Sequence, residues 1–267
     1  MTRELDLKRR LTALSGLRDA VGAMKSLSAH HFRETRSVAL SAREYRAGVE
    51  SIVARVGCAL RPGSGPVGLI VVGAELGLCG GYTSRVVEKA LERLAETGPG
   101  PCFCVGKRTR SLLERRGVEV SGSYPGPSGV RELDSLLLGL AERLLRAFVE
   151  QDLSALDVVS SHFAGVGSQQ PKVVRLLPAP FDTNDPELPL YSRLDDFITA
   201  ATREYLFSTL FEILVNALAS EHGARLLATE GAERWLEERV EHLQRRLTVA
   251  RREASTQETI ELSARRA

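Results

Sequence analysis

The chain has 267 residues, 43% of them hydrophobic and 26% charged, which is enough apolar material for a real core in one or two domains. Its formal net charge is only +2, aromatic residues make up 5%, and no DNA- or RNA-binding motif occurs, so no nucleic-acid partner is expected. No apolar run reaches the length of a membrane span and the opening MTRELDLKRR lacks a signal-peptide core, so the chain is expected to stay in the cytosol.

The first arm, residues 1–61, reads as one long helix from about Asp6 to Leu60. Leu7, Leu11, Leu14, Leu17, Val21 and Met24 recur at threes and fours, the spacing of one buried helix face. Gly16, Gly22 and Gly48 each weaken such a helix by about 1 kcal/mol relative to alanine. They are either tolerated or mark close approach by another backbone. The arm is basic, with twelve Lys and Arg against six Asp and Glu, which suits pairing with an acidic helix or an acidic protein surface.

All eleven prolines lie between Pro62 and Pro189, and there the period changes. Val67–Val72 is a continuous apolar run of the kind buried on both faces of a parallel sheet. The glycine-rich turn Gly77-Leu78-Cys79-Gly80-Gly81 follows, then an amphipathic helix from about Tyr82 to Ala95. Pro101–Val105 reads as a strand, Lys107–Arg116 as a helix ended by Gly117, Val118–Val120 as a candidate strand and Gly122–Gly129 as a loop. Glu132–Glu150 is helical. Leu156–His162 and Lys172–Leu177 are strands joined by the polar turn Gly165–Pro171. Strands alternating with helices over residues 62–189 define a small Rossmann-like α/β domain with a largely parallel sheet.

The last arm, residues 190–267, contains no proline and two glycines, Gly223 and Gly231. Leu236, Val240, Leu243, Leu247, Ala250 and Ala254 form an a/d seam between polar residues, and Leu206, Leu210, Ile213 and Ala217 continue a helical face upstream. A helix from about Arg203 to Leu262 would be roughly 90 Å long at 1.5 Å per residue, and it needs a partner along that length. Two proline-free arms of matching period predict an antiparallel two-helix coiled coil.

Nothing in the middle identifies an active site. Gly77-x-x-Gly80-Gly81 is neither a dinucleotide fingerprint nor a P-loop, and no Lys follows, so the turn is read as structural. His30, His31, His162, His222 and His242 show no metal-ligand spacing, and no metal or cofactor is expected. Cys58, Cys79, Cys102 and Cys104 form no CxxC pair and are expected to be reduced and mostly buried.

Several stretches, in this order, resemble the gamma subunit of F-type ATP synthases. Ala23-Met24-Lys25 resembles part of the family's KAMKMVA, and Gly77–Gly81 matches its GLCGG turn. His162-Phe163 through Ser168-Gln169 to Leu176-Leu177-Pro178 is similar to its NKF…SQ-x-P…LLP hairpin. Ala219–Arg225 reads ASEHGAR against ASEHAAR, and Ala250–Glu258 reads ARREASTQE against ARQAAITQE. There are departures. Gly16–Val21 stands where the family has NTQKIT, Ala74–Gly77 where it has SDRG, and Tyr191-Ser192 where a Glu-Pro opens the final arm. These departures also resemble the gamma subunits of alternative, often sodium-linked, F-type ATPases.

The resemblance implies a non-catalytic rotor shaft that binds no nucleotide itself. It turns inside a ring of alpha and beta subunits, beside an epsilon subunit and over the membrane c-ring, at the cytoplasmic side of the membrane. It also implies that Arg251, Thr256, Gln257 and Glu258 contact the beta subunits' catch loop and that Lys25 lies near their acidic lever. Two other classes remain open, a coiled-coil adaptor without ATPase partners and a nucleotide-binding enzyme built on the α/β domain. Co-purified nucleotide-binding chains would exclude the first, and a nucleotide titration of the purified chain would test the second.

Overall fold

A computed structural model describes residues 2–56, 61–165, 168–179 and 193–266. Cys58, the expected end of the first arm at Leu60, the centre of the hairpin turn at Val166-Gly167, and the connector bearing Tyr191-Ser192 lie outside the described residues.

Helix α1 is Thr2–Val56 and helix α5 is Leu194–Arg266, so both arms begin earlier than their apolar spacing indicated. Asp195 and Asp196 explain the early start of α5, because acidic residues in a first turn complement the helix dipole. Between the arms come β1 (Val67–Val72), α2 (Tyr82–Thr97), β2 (Cys102–Val105), α3 (Lys107–Arg115), β3 (Gly122–Tyr124), α4 (Leu133–Glu150), β4 (Ala155–Gly165) and β5 (Ser168–Leu177).

The strands form one sheet in the order β3-β2-β1-β4-β5. The first three pairings are parallel and the β4–β5 pairing is antiparallel. Alternate residues of the central strands face opposite sides, as the pleat requires. Ile70, Val72, Phe103 and Val105 pack with Leu137, Leu140 and Leu144 of α4 and with Leu210 and Leu214 of α5. Leu69, Val71, Cys102 and Cys104 pack with Val86, Val87 and Ala90 of α2 and with Leu113 of α3. Helices on both faces explain why β1 is apolar throughout rather than alternating. Cys79, Cys102 and Cys104 are free and buried, and burial pushes the Cys102 thiol up to about 12.

Three local expectations are corrected. Val118 and Val120 form no strand; they pack as side chains beneath α2 and α3. The third strand is Gly122–Tyr124, inside the expected loop, with Phe103 opposite Gly122 and Val105 opposite Tyr124. Its composition signals a turn, but pairing with β2 supplies the hydrogen bonds, and glycine is required because a Cβ there would stand 2.9 Å from the Phe103 ring. The hairpin also extends further than expected: Ser161 pairs with Pro171 and His162 with Gln170, so Ser168–Pro171 belong to a strand and His162 lies within one. Pro171 is tolerated because β5 is the sheet edge.

Candidate functional site

Residues 1–27 and 226–267 form one compact unit and residues 28–225 a second. In the first unit α1 and α5 run antiparallel. Glu4 Oε1 accepts from Arg251 Nε at 3.1 Å, and Glu233 Oε2 accepts from Lys25 Nζ at 2.8 Å. Leu7, Val21, Leu236, Val240 and Leu247 are buried along the seam. Leu17 is 50% exposed, contrary to the expected seam, and Ala254 is also exposed. The steps of four and three from Leu7 through Leu11 and Leu14 reach Arg18 and then Val21, so Leu17 points about 100° of helix away from position 18.

The residues assigned to beta-subunit contact are not brought to one place. Lys25 sits beside Glu233, which holds its ammonium charged and raises its pKa, with Glu230 and Glu237 adding smaller pulls. Arg251 lies eighteen residues further along α5 from Glu233, about 27 Å at 1.5 Å per residue. Arg251, Thr256 and Gln257 are exposed on the last turns of α5. Thr256 Oγ1 donates to Arg252 O at 2.8 Å, an ordinary intrahelical contact. Glu258 is helical, but its side chain lies outside the described residues.

In the second unit, the glycine-rich turn meets α5. Leu78 has φ 58° and Gly80 φ 55°, two left-handed residues in three, which turn the chain from β1 into α2. Cys79 is buried, with its Sγ 3.6 Å from Thr83 Oγ1. Gly81 precedes α2, and the Gly77 carbonyl accepts from Arg225 Nε at 3.1 Å. Arg225 Nη2 also donates to Leu76 O at 3.4 Å and pairs with Glu221. Both partners are nearly inaccessible, with side-chain exposures of 4% and 8%.

Burial raises the Glu221 carboxyl pKa, and the neighbouring guanidinium works against that rise. Removing one partner from such a buried pair typically costs about 3–5 kcal/mol, because the other charge is left uncompensated. Two further bonds fasten the same stretch of α5. Tyr82 Oη donates to Ala217 O at 3.1 Å and Ser220 Oγ to Ser161 O at 3.3 Å, both buried. Ala224 packs into the cluster that holds Cys79 and Tyr82. On the other side of the turn, Glu75 accepts from the backbone N–H groups of Lys107 at 2.9 Å and Gly126 at 2.8 Å.

Sequence reasoning missed this clamp. The signal was present, since Glu221 and Arg225 stand four apart in the ASEHGAR stretch, but helical spacing cannot say that the far side is a pair of turn carbonyls. It also missed His31 and His222, whose rings stack with centroids 5.1 Å apart. Burial and the nearby Arg225 charge hold His222 down to about 3.

The fold thus defines an α/β unit inserted in the chain between two long, paired helical arms, with buried polar bonds fastening the sheet domain to the second arm. A family model described as ATP synthase matches residues 4–264. The gamma chain of Moorella thermoacetica ATP synthase is 29% identical, over 97% of this chain and 96% of the relative. That of Pelotomaculum thermopropionicum is 27% identical, over 96% and 95%. Among solved structures, the rotor of Euglena gracilis mitochondrial ATP synthase superposes with a TM-score of 0.67 at 12% identity, covering 95% of this chain and 99% of that one. The central stalk of the Tetrahymena thermophila enzyme gives 0.60 at 20% identity, covering 80% and 99%. The chain belongs to the ATP synthase family and is a homologue of its gamma chains. The gamma chain is one subunit of a complex that catalyses ATP synthesis.

Proposed function

We propose that this chain is the central-stalk rotor of an F-type ATP synthase, itself non-catalytic, coupling ion flow through the membrane c-ring to ATP synthesis or hydrolysis in the alpha/beta ring. The observation that carries this reading is the antiparallel pairing of segments from opposite ends of the chain, fixed by Glu4 with Arg251 and Lys25 with Glu233. Outside the seam, Leu5, Leu17, Trp235, Val249 and Ile260 are roughly half exposed or more. A two-helix arm with apolar residues on its outer faces suits a surrounding sleeve of other subunits.

In this reading residues 1–61 and 190–267 are the shaft and residues 62–189 the base, beside an epsilon subunit and above the c-ring. Two paired helices give stiffness. Their unequal faces let three surrounding catalytic sites meet different surfaces at one time. Lys25, Arg251, Thr256, Gln257 and Glu258 are the proposed contacts to the beta subunits, and Gly77, Cys79, Gly80 and Gly81 form a structural turn. No described helix is long and apolar enough to cross a membrane. The chain is placed peripherally at the cytoplasmic face, held by the complex.

Affinity purification of the tagged chain from its own cells tests the reading. It should bring down two larger nucleotide-binding chains in excess over the bait, together with ATPase activity. A bait recovered without them would favour the adaptor, and nucleotide-dependent thermal stabilisation of the isolated chain would favour an enzyme.

A further inference from the structure

We propose that Arg225, with Glu221, is the torque joint of the subunit, the contact that stops α5 from turning against the sheet domain when the machine works under load. The proposal rests on the stalk reading and adds to it the residues through which rotation passes from helix to base. Apolar packing is non-directional and resists rotation through the interdigitation of side chains, whereas a hydrogen bond to a fixed carbonyl also fixes the angle. The planar guanidinium is directional, and it grips the carbonyls of Leu76 and Gly77 at 3.4 and 3.1 Å. Those carbonyls belong to the turn that leaves β1, the middle strand of the sheet.

Three ties engage one stretch of α5 from separate parts of the domain: Tyr82 at Ala217, Ser161 at Ser220, and the turn at Arg225. Any rotation of α5 about its own axis must break all three. Breaking the last strips the turn carbonyls from Arg225, while Glu221, one helical turn away on α5, stays paired with the guanidinium and keeps it aimed at the turn. Glu75 braces the turn from behind through the N–H groups of Lys107 and Gly126.

The test uses the whole complex in sealed, inverted membrane vesicles driven by Mg-ATP. Hydrolysis is measured with the vesicles sealed and after they are made leaky, and membrane potential is followed with a potential-sensitive dye, which serves for either cation. In the wild type, leakiness should stimulate hydrolysis because back-pressure is released. In Arg225→Ala that stimulation should be lost, and the potential built per ATP should fall to less than half, with unloaded hydrolysis retained. Arg225→Lys keeps a cation beside Glu221 but cannot reach both carbonyls, and it should show the same loss in milder form. Wild-type stimulation and potential in Arg225→Lys would overturn the proposal. So would failure of both variants to assemble, since the contact would then serve assembly alone. Failure of the wild-type chain to join a ring would instead sink the stalk reading.

Discussion

Lys25 Nζ lies 2.8 Å from Glu233 Oε2, an ion pair that joins α1 to α5 across 208 positions of sequence. The lysine that the family resemblance assigns to another subunit is therefore engaged within its own chain. In the isolated protein, Lys25→Ala and Glu233→Ala should each lower the urea midpoint slightly, and the double variant should lower it by less than their sum. That coupling should fade at about 1 M salt, where the Debye length is roughly 3 Å. Strict additivity at low salt would mean that the pair does not form in solution.

Arg251 is held by Glu4, but more than half of its side chain is exposed. An exposed, charge-assisted hydrogen bond can be exchanged for one to a partner carboxylate. Arg251→Ala combined with Gln257→Ala should leave the complex assembled and lower its steady-state ATP turnover at matched stoichiometry. Glu4→Gln, which removes the competing carboxylate, should not lower it. Undiminished turnover in the double variant would leave these residues as a solvated helix face.

His222 gives the protein a specific acid sensitivity. Its ring is buried against His31, with Arg225 at 3.4 Å. Its pKa is about 3 in the fold against an ordinary 6.5, so below pH 6.5 the unfolded chain binds the proton and the folded one does not. The stabilisation from a neutral His222 is complete above pH 6.5 and is lost progressively as pH falls toward 3. From a shift of that size the loss is on the order of 5 kcal/mol. Glu221, whose pKa is raised, works in the opposite direction over the carboxylate range. His222→Gln should therefore flatten the fall in urea midpoint between pH 6.5 and 4. An unchanged slope would place the acid sensitivity elsewhere.

The glycines of α1 are testable one at a time. A Cβ at Gly16 or Gly48 would meet nothing within 4 Å, whereas at Gly22 it would stand 3.2 Å from Glu233 Oε1. None of the three lies against another backbone. Gly16→Ala and Gly48→Ala should each stabilise the isolated chain by about 0.5–1 kcal/mol in urea unfolding, through helix propensity. Gly22→Ala should gain less, because the end of the Glu233 side chain must shift. Destabilisation at Gly16 or Gly48 would contradict the open surroundings.

The two arms and the alternating middle are legible in the amino-acid order alone. Both signals are local: proline cannot sit in a helix interior, and apolar residues at threes and fours or in short unbroken runs state the period directly. The ordered motifs also carry the family resemblance, because several weak matches in the right order are jointly specific. Tertiary structure decided what has no local signature. Gly122–Tyr124 became a strand only because β2 offered it a pairing edge, and Ser168–Pro171 joined the hairpin because β4 continued opposite them. Lys25 found Glu233, and Arg225 found two carbonyls almost 150 residues away in the chain, as the fold brought them together. Periodicity fixes which face of a helix is buried. The partner that meets that face depends on directional hydrogen bonds between residues remote in sequence, and these exist only once the chain has folded.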